Sequence, residues 1–321
     1  MIFNFFIEPL EERYTAQWQR WIAAGMDALN LPHKDIFGKP LTSKIEVGSV
    51  LDVYGTLAYK QSQLRNFIEE IRVNGITADD IVFVHDLWFP GIEALAYIRN
   101  MIKVPFKIYG ILHAGVYDNH DFTYLNGMRS WGRRFEKMLL TITDRVFVAT
   151  EFHRDLILKM HKRIKSEIVV TGLFFENEIG EPTAKENIVV FPHRLDKEKN
   201  PRRFDRLAKK LKKTDWQFIK AAEVCKTKQE YYDLLNRAKI AVSFADQETF
   251  GYAMIEALAA GCHVVVPDRL SYSTMSIYDG MRAKDKNAAD VVKGLMTAGV
   301  PKRVDLSEYH TQEVLKRMFH A

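Results

Sequence analysis

Two doubly wound α/β domains are the fold this sequence predicts, and three observations carry that expectation. Short apolar runs alternate with longer amphipathic stretches along the 321 residues. Several of these runs are continuously apolar, as expected of strands covered on both faces of a parallel sheet. The chain is also longer than one hydrophobic core usually serves, which divides the alternation between two domains.

Taken in order, the strand candidates of the first half are MIFNFFI, IEVGSVLDV, DIVFVHDL, FKIYGILHA, RVFVAT and EIVVTG. Those of the second half are NIVVFPH, WQFIKAA, AKIAVSFA and CHVVVPD. Helical stretches lie between them. In PRRFDRLAKKLKK, Phe204, Leu207, Ala208 and Leu211 fall at i, i+3, i+4 and i+7, giving one apolar and one basic face. The polar stretch ENEIGEPTAKEN, residues 176–187, carries Gly and Pro without periodicity and marks the boundary. The expected division is a first domain at 1–178, a second at 179–305, and a helix in 306–321. That helix, in SEYHTQEVLKRMFHA, is expected to start at Ser307 and to pack back toward the first domain.

Composition narrows the class. Hydrophobic residues make up 47% and charged residues 27%, which excludes a disordered chain. The two cysteines, Cys225 and Cys262, are far apart, which excludes a disulfide scaffold and fits a reducing compartment. MIFNFFI stops before Glu8, has no basic leader and reads as a first strand. No apolar run approaches the roughly 20 residues that span a bilayer. The expected location is the cytoplasm. A net charge of +5 suits a polyanionic partner or a site for a diphosphate and establishes neither.

The chemistry concentrates in DQETFGYAMIEALAAGCHVVVPD, Asp246 to Asp268. AKIAVSFA is the strand before it, DQET the turn, FGYAMIEALAAG a helix ending at Gly261, and CHVVVPD the next strand. The helix start therefore faces the crevice at the carboxyl ends of the strands, where open α/β sheets bind ligands. Amides from Phe250 to Ala253 suit a phosphate there, and Gly251 lets a ligand approach the backbone. A carboxylate beside that anion site cannot hold phosphate, so Glu248 is expected to accept from hydroxyls. Glu256, two turns further on, is expected to do the same. Taken singly, Glu248 reads as a helix cap and Glu256 as a surface residue. Together they describe a sugar–diphosphate–ribose ligand.

ETFGYAMIEALAAGCHVVVPD resembles the signature of retaining GT-B glycosyltransferases of the family four type: a Glu, Phe-Gly, a second Glu, then small residues ending in Gly. The resemblance implies a GT-B fold, two Rossmann-like domains facing a central cleft. It places Glu248 on donor-sugar hydroxyls and Glu256 on the ribose, with Thr249, Phe250, Gly251, Tyr252 and Ala253 lining the donor. VVFPHRLDKEKNPRRF resembles the family's strand followed by Gly-Arg-Leu and Lys-Gly, which maps the diphosphate-holding cations onto Arg194 and Lys199. Two cations after a strand do offset a diphosphate. The sequence departs from the pattern at His193, which replaces a Gly, and at Asn200 after the lysine.

In the first half, VFVHDLWFPG resembles the acceptor-lining stretch and points to His85, Asp86 and Trp88. ILHAGVYDNHDF resembles the segment whose histidine lies near the transferred sugar, which maps onto His113; in the same stretch Asp118 and Asp121 are candidate acceptor contacts on the residues alone. DRVFVATEFHRDLI resembles the family's later strand and following helix. On the residues alone, His113 divides evenly between that role and a satisfied strand end. His85, Tyr117 and His120 read as structural, and the Asp/His loop as turn chemistry. The first loop, IEPLEERYTAQW, replaces a glycine-rich one; its Glu8, Glu11, Arg13 and Trp18 are expected to reshape the acceptor entrance.

The implied reaction is transfer of a sugar from a nucleotide-diphosphate donor, UDP-sugar first, to an acceptor hydroxyl with retention. Arg194, Lys199 and the amides near Gly251 would stabilise the leaving phosphate, and Glu248 and His113 would orient the sugar. No Asp-x-Asp pair stands at a strand end and no cluster has metal spacing, so neither a metal nor another cofactor is expected. MRSWGRRF sets Arg129, Arg133 and Arg134 around Trp131, as a base-extruding surface does. The short, mildly basic chain also resembles phage enzymes that glycosylate hydroxymethylated pyrimidines in DNA. Double-stranded DNA is thus a candidate acceptor beside a saccharide or lipid, with the host cytoplasm as its location. AKKLKK reads as a solvated helix face. AQWQRWIAAGM has Trp18 and Trp21 but too few charges for membrane docking. Two other classes stay open. A non-catalytic binding module is opposed by the presence together of Arg194, Lys199, Glu248 and Glu256. A sugar-nucleotide epimerase or hydrolase needs an acid/base pair that the sequence does not single out.

Overall fold

The computed structural model describes residues 1–9, 14–40, 53–180, 183–212, 215–299, 301 and 303–319. The chain divides into two compact units, Met1–Phe174 with Tyr309–Ala321, and Phe175–Glu308. The strand expected in IEVGSVLDV lies outside the described residues except for Val53, which opens a helix. Glu11 and Arg13 lie outside them as well.

The first unit runs β1 (Ile2–Phe5), α1 (Tyr14–Ala28), β2 (His33–Ile36), α2 (Val53–Asn74), β3 (Ile81–Val84), α3 (Glu93–Ile102), β4 (Lys107–Ile111), α4 (Phe122–Leu125), α5 (Arg129–Ile142), β5 (Arg145–Val148), α6 (Glu151–Met160) and β6 (Glu167–Val170). Its sheet has the order β2-β1-β3-β4-β5-β6 and is parallel throughout. The apolar runs supply the central strands: Val82, Val84, Ile108, Val146 and Val148 are fully buried between helices. β2 was not among the expected strands because HKDI has no apolar run. It is an edge strand with only Ile36 buried. The sheet brings the segments after β3 and β4 to one end: His85 N–H donates to Phe5 O, and Leu87 N–H to Ile111 O.

The second unit runs β7 (Glu186–Phe191), α7 (Pro201–Lys210), β8 (Gln217–Lys220), α8 (Ala221–Val224), α9 (Lys228–Arg237), β9 (Ala238–Val242), α10 (Tyr252–Ala259), β10 (His263–Pro267), β11 (Arg282–Ala283) and α11 (Ala288–Met296). The parallel sheet has the order β11-β10-β9-β7-β8. Val189, Phe191, Ile240, Val242 and Val265 form its core with Phe204, Leu207 and Leu211, the apolar face read from the sequence. β11 has two residues, too few to leave a pattern.

The last helix, α12 (Thr311–Phe319), belongs to the first unit and packs on α1. It starts at Thr311, not at the expected Ser307. The Asp305 carboxylate takes the Ser307 amide, and Ser307–Tyr309 closes a single 3-10 turn instead. α1 and α12 approach closely at Gly25, where a Cβ would lie 2.7 Å from Thr311 Cγ2 and 2.9 Å from Leu315 Cδ1. Leu315 is fully buried in that seam, so Leu315→Ala should cost about 2–5 kcal/mol. Four of the five tryptophans, Trp18, Trp21, Trp88 and Trp131, lie in this unit, so urea unfolding followed by tryptophan fluorescence reads it.

Two histidines belong to the same core. His85 is fully buried between Phe6 and Phe83, at ring distances of 4.4 and 4.5 Å, and neither ring nitrogen has a hydrogen-bond partner among the described residues. His153 is fully buried too, with Nε2 2.7 Å from the Tyr117 hydroxyl and Nδ1 without a hydrogen-bond partner among the described residues. Burial, with a smaller push from His113, holds both down at about 3, against an ordinary 6.5. Each is neutral when folded and takes a proton below 6.5 when unfolded, so stability falls as pH drops from 6.5 toward 3. Acidification from pH 7 to about 5 should cost roughly 2 kcal/mol per histidine. The same fluorescence assay on His85→Leu should show one share of that acid sensitivity gone; an unchanged slope would contradict a neutral His85.

Candidate functional site

In the second unit, the site grows from the loops after β7 and β9. β7 leads into Pro192, His193 and Arg194, then a 3-10 turn at Lys197–Lys199 and Asn200 in the left-handed region (φ 58°). Pro201 follows at the first helical position of α7, where its missing amide costs nothing. The Asn200 side-chain amide donates to Phe244 O at 3.0 Å and Asp246 Oδ2 at 2.6 Å, and Asp246 N–H donates to Glu198 O at 2.7 Å. Asn200, which departs from the family pattern, thus ties the two loops together.

That tie sets Lys199 against the second loop. Lys199 is 7% exposed, and its ammonium donates to Gln247 O at 2.7 Å and to Glu248 Oε2 at 3.3 Å. Burial alone would raise the Glu248 carboxyl. Lys199, His193 and the Phe250 amide outweigh it and hold the group below its ordinary value. His193, the other departure, is buried with Nε2 2.8 Å from Ser243 Oγ at the end of β9. Burial first, and Lys199 second, keep its ring neutral, at about 3.

Gly251 opens α10 at φ 93°, a conformation side chains rarely adopt, and a Cβ there would sit 2.9 Å from Tyr272 Cε1. The turn is therefore closed on its inner side by a buried tyrosine. Of the amides expected to face a phosphate, Phe250 donates to Glu248. Tyr252 and Ala253 open the helix, at the positive end of its dipole. The helix ends at Ala259, and Gly261 (φ 73°) turns the chain toward β10.

Glu256 is 6% exposed, so it is not a surface residue. Its Oε1 lies 2.7 Å from Lys228 Nζ and its Oε2 accepts from the Tyr231 hydroxyl at 3.0 Å, which joins α9 to α10. Sequence reasoning missed Lys228 and Tyr231; the signal was a lysine and paired tyrosines opening a helix in KTKQEYYDLL. Arg194 is placed differently. Its side chain is 58% exposed and pairs with Asp196 at 3.2 Å and Glu198 at 3.5 Å, apart from the Lys199–Glu248 contact. Exposed pairs of this kind are worth about 0–1 kcal/mol, so releasing the guanidinium is cheap.

A second network was missed because its members come from four segments. Arg269 donates to Asp246 Oδ1 at 2.9 Å, Ala245 O at 3.0 Å and both Asp285 oxygens at 3.1 Å, and Arg203 pairs with Asp285. It pins the loop after β9 at Ala245 and Asp246.

In the first unit, His113 is brought to its neighbours by β4. Its Nε2 lies 2.8 Å from His85 O. A carbonyl only accepts, so Nε2 carries the proton and the neutral ring keeps Nδ1 as an acceptor. Burial lowers its pKa against opposing pulls from Asp86 and from this bond. His85 itself contributes its carbonyl; its ring is the core ring described above. Asp86 accepts from the buried Lys60 at 2.6 Å and from Trp88 N–H at 3.1 Å. The Trp88 indole donates inward to Glu136 Oε1 at 3.1 Å, and its ring packs on Phe135. Glu136, also missed, is fully buried and takes Val116 N–H at 2.6 Å and His161 Nε2 at 2.8 Å. Asp118 accepts from His120 N–H at 2.9 Å, and Asp121 caps α4 through Thr123 N–H. Burial raises Asp121 to about 6 despite that cap. Trp18, expected to shape an entrance, is 1% exposed and stands edge-on to Phe174 at 4.9 Å. Among the described residues no group of three or more His, Cys, Asp or Glu could hold a metal ion.

No protein-family model matches this sequence, and no curated protein does. Solved structures do match. Sucrose-phosphate synthase from Thermosynechococcus elongatus is similar with a TM-score of 0.65 at 12% identity, over 99% of this chain and 92% of that one. The apo form of the lipopolysaccharide outer core galactosyltransferase WaaB reaches 0.63 at 12% identity, over 100% and 99%. A point mutant of TarM from S. aureus, in complex with fondaparinux, α-GlcNAc-glycerol and UDP, reaches 0.50 at 17% identity, over 81% and 56%. At these identities the likeness is one of fold, and it matches the expected architecture of two parallel-sheet, Rossmann-like α/β domains.

Proposed function

We propose that this protein is a glycosyltransferase that moves a sugar from a nucleotide-diphosphate sugar to an acceptor hydroxyl with retention. The observation that carries the reading is the buried Lys199–Glu248 contact beside the Gly251 turn, with Glu256 further along the same helix. In this reading Lys199, Arg194 and the start of α10 offset the donor diphosphate and stabilise charge as it leaves. These groups supply the positive charge that a metal would otherwise bring. Glu248, held ionised by Lys199, can accept hydrogen bonds but has no proton to give at neutral pH. It therefore orients sugar hydroxyls and does not act as an acid; the departing phosphate takes the acceptor proton. Glu256 would exchange a tyrosine partner for ribose hydroxyls. His113 would present Nδ1 to the sugar.

The finer assignments follow from the same reading. Residues 179–305 would bind the donor and 1–178 the acceptor. UDP is the favoured nucleotide, supported by the UDP bound in the similar TarM structure. The names of the first two neighbours support a saccharide acceptor. The arginines of α5 support a hydroxymethylated pyrimidine in DNA. No helix of the described residues is long and apolar enough to cross a membrane, and two free cysteines suit the cytoplasm.

The test follows nucleotide release by mass spectrometry from a panel of UDP-sugars, with oligosaccharide and hydroxymethylated duplex DNA as separate acceptors. Wild-type release should depend on one acceptor. Glu248→Gln should lower turnover about 100-fold while UDP affinity stays within a few-fold. Unchanged turnover in this variant would reject the assignment, and UDP binding without turnover on any acceptor would favour a non-catalytic module.

A further inference from the structure

α5 and the loop after α6 build a basic surface that sugar transfer, as described above, does not use. The exposed side of α5 carries Arg129, Arg133, Arg134 and Lys137, and its one acid, Glu136, is buried. The apolar side of the helix is committed to the core through Phe135, Met138, Leu139 and Leu140. Lys137 Nζ donates to the backbone carbonyls of Lys162 and Arg163, which sets two more exposed basic side chains beside the helix. Among the described residues, no carboxylate forms an ion pair with any of these six. Residues 129–165 hold ten basic and four acidic side chains, an excess of six, whereas the whole chain carries only +5. Outside residues 129–165 the formal charges nearly cancel, although α7 carries a basic face of its own.

We propose that this surface binds the phosphate backbone of duplex DNA. Arg129 and Arg133 lie four residues apart, about 6 Å along the helix, and Lys137, one step further on, holds the Lys162–Arg163 segment beside them. The arginine spacing is close to the axial rise of two phosphates of one strand, about 3.4 Å each along the duplex axis. Rigid placement on a helix favours such a regular polyanion. A lipid surface would call for an apolar stripe in the middle of the exposed face, and on α5 that stripe is packed inward. The exposed Trp131 and Leu125, 47% and 67% accessible, flank the basic face and do not centre it. The inference deepens the DNA-acceptor reading and rests on it for its purpose, but binding is measured without a donor and so fails or holds separately.

The experiment is fluorescence anisotropy of a labelled duplex about 20 base pairs long, titrated between about 50 and 200 mM salt. Wild-type binding should weaken steeply with salt. Arg133→Glu with Arg134→Glu, and separately Lys162→Glu with Arg163→Glu, should each weaken it at least about tenfold and flatten the salt slope by about one or two contacts. Arg202→Glu with Arg206→Glu, on the basic side of α7, should leave binding unchanged. Arg133→Gln with Arg134→Gln gives a milder step, and circular dichroism confirms that each variant is folded. Absence of wild-type binding at the lowest salt would overturn the proposal, as would equal losses from the α7 variant. Phosphatidylglycerol vesicles that capture the wild type, but not the Arg133→Glu, Arg134→Glu variant, would also overturn it by assigning the face to lipid. Duplex that binds through this face but is never glycosylated would leave the surface standing and remove DNA as acceptor.

Discussion

An ammonium group removed from water must find acceptors, and the second unit is arranged around that need at Lys199. Desolvating a lysine costs several kcal/mol unless the charge is paired and hydrogen-bonded. Lys199 meets the cost with a backbone carbonyl and a carboxylate, both from the loop after β9. The position of Glu248 is therefore set by a charge it cannot abandon without stranding its partner. Asn200 and Arg269, each on one oxygen of Asp246, fix the loop that carries Glu248. Preorganisation of this kind lets a carboxylate meet hydroxyls without first having to order its own backbone.

Buried or half-buried acids held by several donors recur elsewhere in the chain. Glu256 is held between Lys228 and Tyr231, Asp86 by Lys60 and the Trp88 amide, and Glu136 by an indole, an amide and an imidazole. Each of these acids draws two or more donors, so each ties separate segments together: α9 to α10 at Glu256, α2 to the chain after β3 at Asp86, and α5 to three other segments at Glu136. The buried histidines complement this scheme. His85, His153 and His193 are buried as neutral rings, because burial penalises the charged form.

Much of the fold was legible because burial writes itself into composition. Continuous apolar runs named nearly all the described strands, and the i, i+3, i+4, i+7 spacing named the buried face of α7. What stayed hidden was short or polar: β2 at a sheet edge with one buried residue, and β11 with two residues in all. The start of α12 moved because Asp305 captured an amide locally, a competition periodicity does not register. At the site, the order of turn, glycine and helix around Glu248 could be read directly. The donors that hold Glu256 and Glu136 could not, since a hydrogen bond between residues 20 or 25 positions apart leaves no spacing to read. Sequence also could not tell exposure. It treated Arg194 and Lys199 as a matched pair, yet one is open to solvent and the other is 7% exposed.

The central claim is that Lys199 and Glu248 form a prebuilt grip on an activated sugar. A crystal structure with a non-hydrolysable UDP-sugar tests it most directly. The account predicts the diphosphate within hydrogen-bonding distance of Lys199 and the opening amides of α10, with Glu248 on sugar hydroxyls and Glu256 on the ribose. A donor bound elsewhere, with the Lys199–Glu248 contact intact and untouched, would contradict it.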